Sequence, residues 1–197
     1  MCRVNTDPLP QNANAVLVGC GIGRTKEGKA ILKKALMAEC DTLIIDADGL
    51  YHLAEDKSML RMCRAGQVIL TPHMGEMSRL CGRDAAEITE NRVEIAESFA
   101  KEHGVTVVLK GAGTVVAKPE GKTYINMTGN PGMAKGGSGD ILAGLMLGFA
   151  ASGWKEPAQS AVFVHGYAGD LAAKKTGELG ITAEFLVKFL PEAIKCM

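Results

Sequence analysis

Apolar positions follow two rhythms along this chain of 197 residues. Ala15–Val18 is a short continuous apolar run, and Thr42–Ile45, Gln67–Leu70 and 105–109 are short, largely apolar runs, each followed by glycine or polar residues. That pattern predicts strands buried on both faces, as in a parallel sheet. Between them the spacing turns helical. A helix is predicted over 26–38, with Ile31, Leu32, Ala35 and Leu36 inward, a short helical patch over 58–63, and one long amphipathic helix over 84–102. Two short segments, 115–118 and 122–126, flank Pro119, Glu120 and Gly121 and predict a hairpin. Three helices follow, over about 140–151, 157–174 and 183–195. The last carries Phe185, Leu186, Phe189, Leu190 and Ile194 on one face, predicted to pack on the core. Residues 1–14 have no periodicity and read as an irregular lead-in to a single domain over 15–197.

Strand and helix alternate up to Leu109, so the fold class is α/β, layered, with a largely parallel central sheet flanked by helices. Ligands of such sheets sit beyond the carboxyl ends of the strands. The stretches 19–23, 46–48, 71–76, 110–114 and 130–140 should therefore converge on one crevice.

The last of these is the most distinctive. Between Asn130 and Asp140 it holds Gly132, Gly136, Gly137 and Gly139, then one acid, Asp140, then the apolar helical run of Ile141, Leu142, Leu145, Met146 and Phe149. A glycine-rich loop opening a buried helix leaves free backbone N–H groups for an anion. A carboxylate beside it can take a proton from a hydroxyl under phosphorylation. The competing reading is a glycine-rich helix start whose Asp140 only complements the dipole.

Other candidates divide. Gly23 to Lys29 matches G-x-x-x-x-G-K after a strand, and Asp46 would end the matching acidic strand. Ala30 follows Lys29, so the metal-binding hydroxyl of a P-loop is missing. A dinucleotide fingerprint from Gly19 would need glycine where Arg24 stands. His165 lies among small apolar residues at helical spacing, as a core histidine would; His52 and His103 have no constellation and read as peripheral. His73, just beyond a strand, reads as a substrate contact in preference to a helix cap. His73 and Glu76 find no further metal ligands, so no metal site is assigned. The 110–114 turn, with Lys110 and Thr114, is open between a tight surface turn and a nucleotide phosphate clasp.

Lys+Arg and Asp+Glu both number 22 and the formal net charge is zero, giving no electrostatic case for nucleic acid or an anionic membrane. Six cysteines show no C-x-x-C pair and suit reduced, mostly buried thiols in a cytoplasmic protein. The longest apolar stretch, 141–152, is shorter than the roughly 20 residues of a membrane span.

Together, Gly19-Cys-Gly-Ile-Gly23, Asp46-Ala-Asp-Gly-Leu50, Thr71-Pro-His-Met-Gly-Glu76, Val108-Leu-Lys-Gly-Ala-Gly-Thr114, the 130–144 motif and His165-Gly-Tyr-Ala-Gly-Asp170 resemble, in order, the ADP-dependent NAD(P)H-hydrate dehydratases of the ribokinase-like superfamily. The resemblance implies a ribokinase-like fold and a hydro-lyase that repairs hydrated NADH or NADPH. ADP (or ATP), with Mg2+ on its phosphates, would phosphorylate the ring hydroxyl, and loss of phosphate would restore the double bond. Asp140 would be the catalytic base. Gly23, His73 and Asp140 would contact the hydrate; Lys110, Gly111, Ala112, Gly113, Thr114, Gly136, Gly137, Ser138 and Gly139 would hold the nucleotide. A homo-oligomer is implied, a tetramer among the forms open.

Two departures stand out. Lys135 replaces the threonine of many relatives, open between a phosphate contact and a tolerated change. The chain also begins shortly before Val16, where the family has a further N-terminal segment with strands and a glycine-rich substrate loop. The expectation is a domain missing that segment, with sheet surface exposed and the substrate pocket incomplete. The alternatives are a superfamily kinase acting on a vitamin-precursor alcohol, and an inactive truncated nucleotide-binding remnant.

Overall fold

The computed structural model describes residues 13–197, so most of the 1–14 lead-in lies outside the described residues. In chain order the elements are β1 (Ala15–Val18), α1 (Lys26–Leu36), β2 (Thr42–Ile45), α2 (Asp48–Glu55), β3 (Gln67–Leu70), α3 (Met74–Cys81), α4 (Ala85–Glu90) and α5 (Arg92–His103). Then come β4 (Thr106–Leu109), β5 (Val115–Ala117), β6 (Thr123–Ile125), α6 (Ser138–Ala151), α7 (Pro157–Thr176) and α8 (Ala183–Ile194). The sheet runs β1-β2-β3-β4-β5-β6, parallel through β4 and antiparallel across the β4–β5 and β5–β6 pairs.

Alternation along the strands builds two cores. Leu43, Ile45, Leu70, Val107 and Leu109 pack toward the α1–α5 side with Leu32, Leu36, Met77 and Ala96. Ile44, Ile69, Val108 and Val116 face Met146, Phe149, Ala161 and Val164 on α6 and α7. This three-layer arrangement explains why the central strands read as unbroken apolar runs.

Four expectations are corrected. The long 84–102 helix is two helices: they meet at Asn91, where φ is −121° and ψ 37°, and whose side-chain amide donates to Glu87 O at 3.2 Å. A short polar side chain that bonds the backbone competes with helix continuation. Residues 46–50 and 71–76 are less loop than expected, because α2 starts at Asp48 and α3 at Met74. His52 is buried, not peripheral, and its Nε2 lies 2.9 Å from Gly23 O. Ile194 on α8 is 37% exposed; Ala193 takes the buried position beside it.

Candidate active site

β1 to β4 run parallel, so their carboxyl ends share one side of the sheet, and the side chains they carry meet around Lys110. Lys110 Nζ lies 2.8 Å from Asp46 Oδ1 and 3.9 Å from Glu76 Oε2. Asp46 is 2% exposed and also accepts the Ala47 N–H at 2.8 Å. A buried carboxylate needs such partners. Ala47 holds φ +48°, the only positive φ at a non-glycine among the described residues, so the chain is strained next to this ion pair.

The glycine loop joins the same group. Gly137, with φ +87°, precedes α6 as its N-cap and offers no side-chain cap. The N–H groups of Gly136, Gly137, Gly139 and Asp140 find no acceptor among the described residues. A Cβ on Gly139 would stand 3.7 Å from Lys110 Nζ, which brings the start of α6 against the ammonium. Asp140 is exposed in the first turn of α6. The Cys20 thiol lies beside it, and is pushed up to about 12 by burial first, then by Asp46 and Asp140, with Lys110 opposing. The structure thus brings Cys20, Asp46, Lys110, Gly139 and Asp140 together.

The loop is fastened from behind. Asp170 accepts the Gly129 N–H at 2.9 Å and the Asn130 side-chain amide at 3.0 Å. Lys135 donates to the carbonyls of Leu179 and Ile181 at 2.8 and 2.6 Å, so its ammonium ties the loop to the chain before α8 and is not free for phosphate. Ser138 Oγ lies 3.3 Å from Nε2 of His165, the core histidine expected from its small neighbours. Burial drives His165 down to about 4, partly offset by the Ser138 backbone.

The remaining expected residues sit around this centre. Gly111 and Ala112 are exposed and Gly113 and Thr114 half-buried, in a turn closed by Thr114 Oγ1 donating to Gly111 O at 3.0 Å. Arg92 props it from below, donating to Ala112 O and to Leu109 O. His73 is the N-cap of α3: its Nδ1 accepts the Glu76 N–H at 3.2 Å while Glu76 accepts the His73 N–H at 2.8 Å, a capping box. The ring is exposed while the His73 backbone pairs with Lys110 in a parallel bridge, so capping and access coexist. Gly23 has both peptide groups committed, donating to Asp48 Oδ2 at 3.0 Å and facing His52 with its carbonyl. Lys29 pairs with Glu55 on α2, which removes it from any P-loop role.

The sequence reading did not foresee the parts played by Cys20, Asp48, His52 and Arg92. Arg92 has no motif around it; Asp48 and Cys20 lie inside strand-end motifs, but no local pattern gives their partners. Among the described residues no three His, Cys, Asp or Glu side chains converge as metal ligands.

Known proteins resemble this chain along most of its length. A family model described as NAD(P)H-hydrate dehydratase matches residues 3–192. A bifunctional NAD(P)H-hydrate repair enzyme of Moorella thermoacetica is 41% identical over 99% of this chain and 38% of its own length. An ADP-dependent (S)-NAD(P)H-hydrate dehydratase of Xanthomonas campestris is 37% identical over 95% of this chain and 62% of its own. The chain therefore spans less than two thirds of these curated relatives. Among solved structures, an ADP/ATP-dependent NAD(P)H-hydrate dehydratase from Bacillus subtilis, co-crystallised with ATP/Mg2+, superposes with a TM-score of 0.85 at 33% identity, covering 95% of this chain and 68% of that one. Ordered motifs, converging strand ends and these matches agree: the chain belongs to the NAD(P)H-hydrate dehydratase family.

Proposed function

We propose that this chain carries the ADP-dependent dehydration of hydrated NADH and NADPH. The observation that carries the reading is the meeting of the Asp140 carboxylate, the unpartnered amides at the start of α6 and the Lys110 ammonium at one end of the sheet. A general base, an oxyanion-type cradle and a cation are what phosphoryl transfer to an alcohol requires.

In this reading Asp140 accepts the proton of the ring hydroxyl as its oxygen attacks the terminal phosphorus of ADP, and AMP departs. The phosphorylated ring then loses phosphate, which carries away the C–O bonding pair, and loss of a ring proton restores the double bond. Hydroxide is a poor leaving group and phosphate a good one, which is why a nucleotide is consumed. The N–H groups of Gly136, Gly137 and Gly139, with the α6 dipole, hold the charge on the moving phosphoryl. Lys110 to Thr114 and Ser138 line the nucleotide side; Gly23 and His73 line the hydrate side. Gly23 can offer only its Cα surface there, because its peptide groups are already bonded. The donor set fits magnesium carried on the nucleotide phosphates and not a protein cage, since Asp46 and Glu76 are engaged by Lys110 and by the α3 cap. Magnesium would supply charge neutralisation there.

The reading includes a cytoplasmic setting and a homo-oligomer, with neither nucleic acid nor membrane as partner. No helix among the described residues is long and apolar enough to cross a membrane. Sedimentation tests the homo-oligomer. The functional test mixes the chain with ADP, magnesium and NADH hydrate. Equal yields of AMP, phosphate and reduced nicotinamide are expected. A stable phosphorylated alcohol formed with ATP would move the assignment to a superfamily kinase, and ADP binding without turnover to a remnant.

A further inference from the structure

Beside Gly23 lies a cationic cluster that the proposed chemistry does not use. The guanidinium carbon of Arg24 stands 4.8 Å from the Tyr51 ring centroid, and that of Arg79 stands 5.7 Å from the same centroid. Asp48 pairs with Arg24 at 3.1 Å and holds the Gly23 N–H with its other oxygen. Arg79 makes no ion pair among the described residues, and both arginines are exposed. Two guanidiniums share one aromatic ring and only Arg24 has a carboxylate partner, so an excess positive charge is held in place where like charges repel.

Three elements fix this arrangement. Arg24 lies just before α1, Tyr51 is on α2 and Arg79 is on α3. We infer that the Arg24–Tyr51–Arg79 cluster is a phosphate subsite for the dinucleotide substrate, distinct from the cradle that takes the phosphates of ADP. The inference rests on the dehydratase reading above. Guanidinium forks match phosphate oxygens in pairs, and an anion shared by two arginines relieves their repulsion. Placement agrees. Arg24 follows Gly23 directly, and Arg79 lies six residues beyond His73, about 9 Å along the helix that His73 caps. Both residues assigned to the hydrate side are thus flanked by the cluster, and a dinucleotide carries its phosphates several bonds away from its nicotinamide. The ligand group is either the pyrophosphate common to both hydrates or the 2′-phosphate of the NADPH form.

Arg79→Met tests this, because Arg79 is exposed and its removal leaves no carboxylate unpaired. KM is measured for NADH hydrate, NADPH hydrate and ADP, and NADP+ binding is titrated at saturating ADP. KM for hydrate should rise about tenfold with KM for ADP within twofold, and Arg79→Lys should recover part of the loss. A rise for both hydrates assigns the pyrophosphate; a rise confined to NADPH hydrate assigns the 2′-phosphate. Hydrate KM values within twofold of the parent, or an equal rise for ADP, overturn the subsite and leave the dehydratase reading standing. If the parent chain shows no turnover, loss of NADP+ binding in Arg79→Met still supports the subsite, and unchanged or absent binding overturns it.

Discussion

Lys110 and Asp46, 64 positions apart in the chain, form the ion pair on which the strand ends converge: Nζ to Oδ1 is 2.8 Å, with the carboxylate side chain 3% exposed. Breaking such a pair leaves a buried charge without its counter-charge. Lys110→Met should lower unfolding free energy by about 3 to 5 kcal/mol. Lys110→Met combined with Asp46→Asn should recover part of that loss. Denaturant titration of the two single variants and the double closes the cycle; additive losses would mean that the pair is not coupled.

The backbone passes so close over Asp46 that only glycine fits at position 19. A Cβ there would lie 1.8 Å from Asp46 O, at φ +127°. Gly21, with φ +70°, has open space around it. Gly19→Ala should cost about 3 to 5 kcal/mol, overpacking and strain together. Gly21→Ala should cost about 1 to 2 kcal/mol from φ alone. Equal melting temperatures for the two variants would contradict the close approach.

His165 gives a pH signature. Its pKa falls from the usual 6.5 to about 4 because burial disfavours the charged ring. Below pH 6.5 the unfolded chain binds a proton that the folded chain refuses. The stability linked to this residue is therefore full above pH 6.5 and is lost as pH falls toward 4, amounting to about 3 kcal/mol. The stability difference between the parent and His165→Gln should shift by that amount between pH 7 and 4. A pH-independent difference would mean that the ring titrates normally when folded.

Cys20 lies beside the proposed base yet should be a poor nucleophile, since its thiol is raised to about 12 by burial and by the carboxylates of Asp46 and Asp140. At pH 8, iodoacetamide should label the exposed Cys196 at least tenfold faster than Cys20. Mass spectrometry of a labelling time course reads this directly, and comparable rates would contradict the burial described.

Much of the frame was legible in the sequence because its cause is local. Leu43–Ile45 and Val68–Leu70 are apolar and buried at every position, since both faces of the sheet are covered. The glycine loop announced itself through Gly136, Gly137 and Gly139 ahead of Asp140. What escaped depends on long-range contacts or on unusual caps. The α3 cap uses His73 with Glu76, an H-x-x-E pair in place of the usual Ser, Thr or Asp. Asn91 breaks an otherwise continuous amphipathic run. Arg92 reaches the 110–114 turn across 17 to 20 positions, and no local pattern encodes that.

The most direct test of the central claim is turnover by Asp140→Asn, measured as recovery of reduced-nicotinamide absorbance from NADH hydrate with ADP and magnesium, alongside calorimetric ADP binding. Asp140 is exposed and bears no structural salt bridge among the described residues, so the variant should fold. Turnover should fall by at least about a hundredfold, with ADP affinity within about threefold of the parent. Near-normal turnover by a variant that still binds ADP would remove Asp140 from the chemistry and contradict the account.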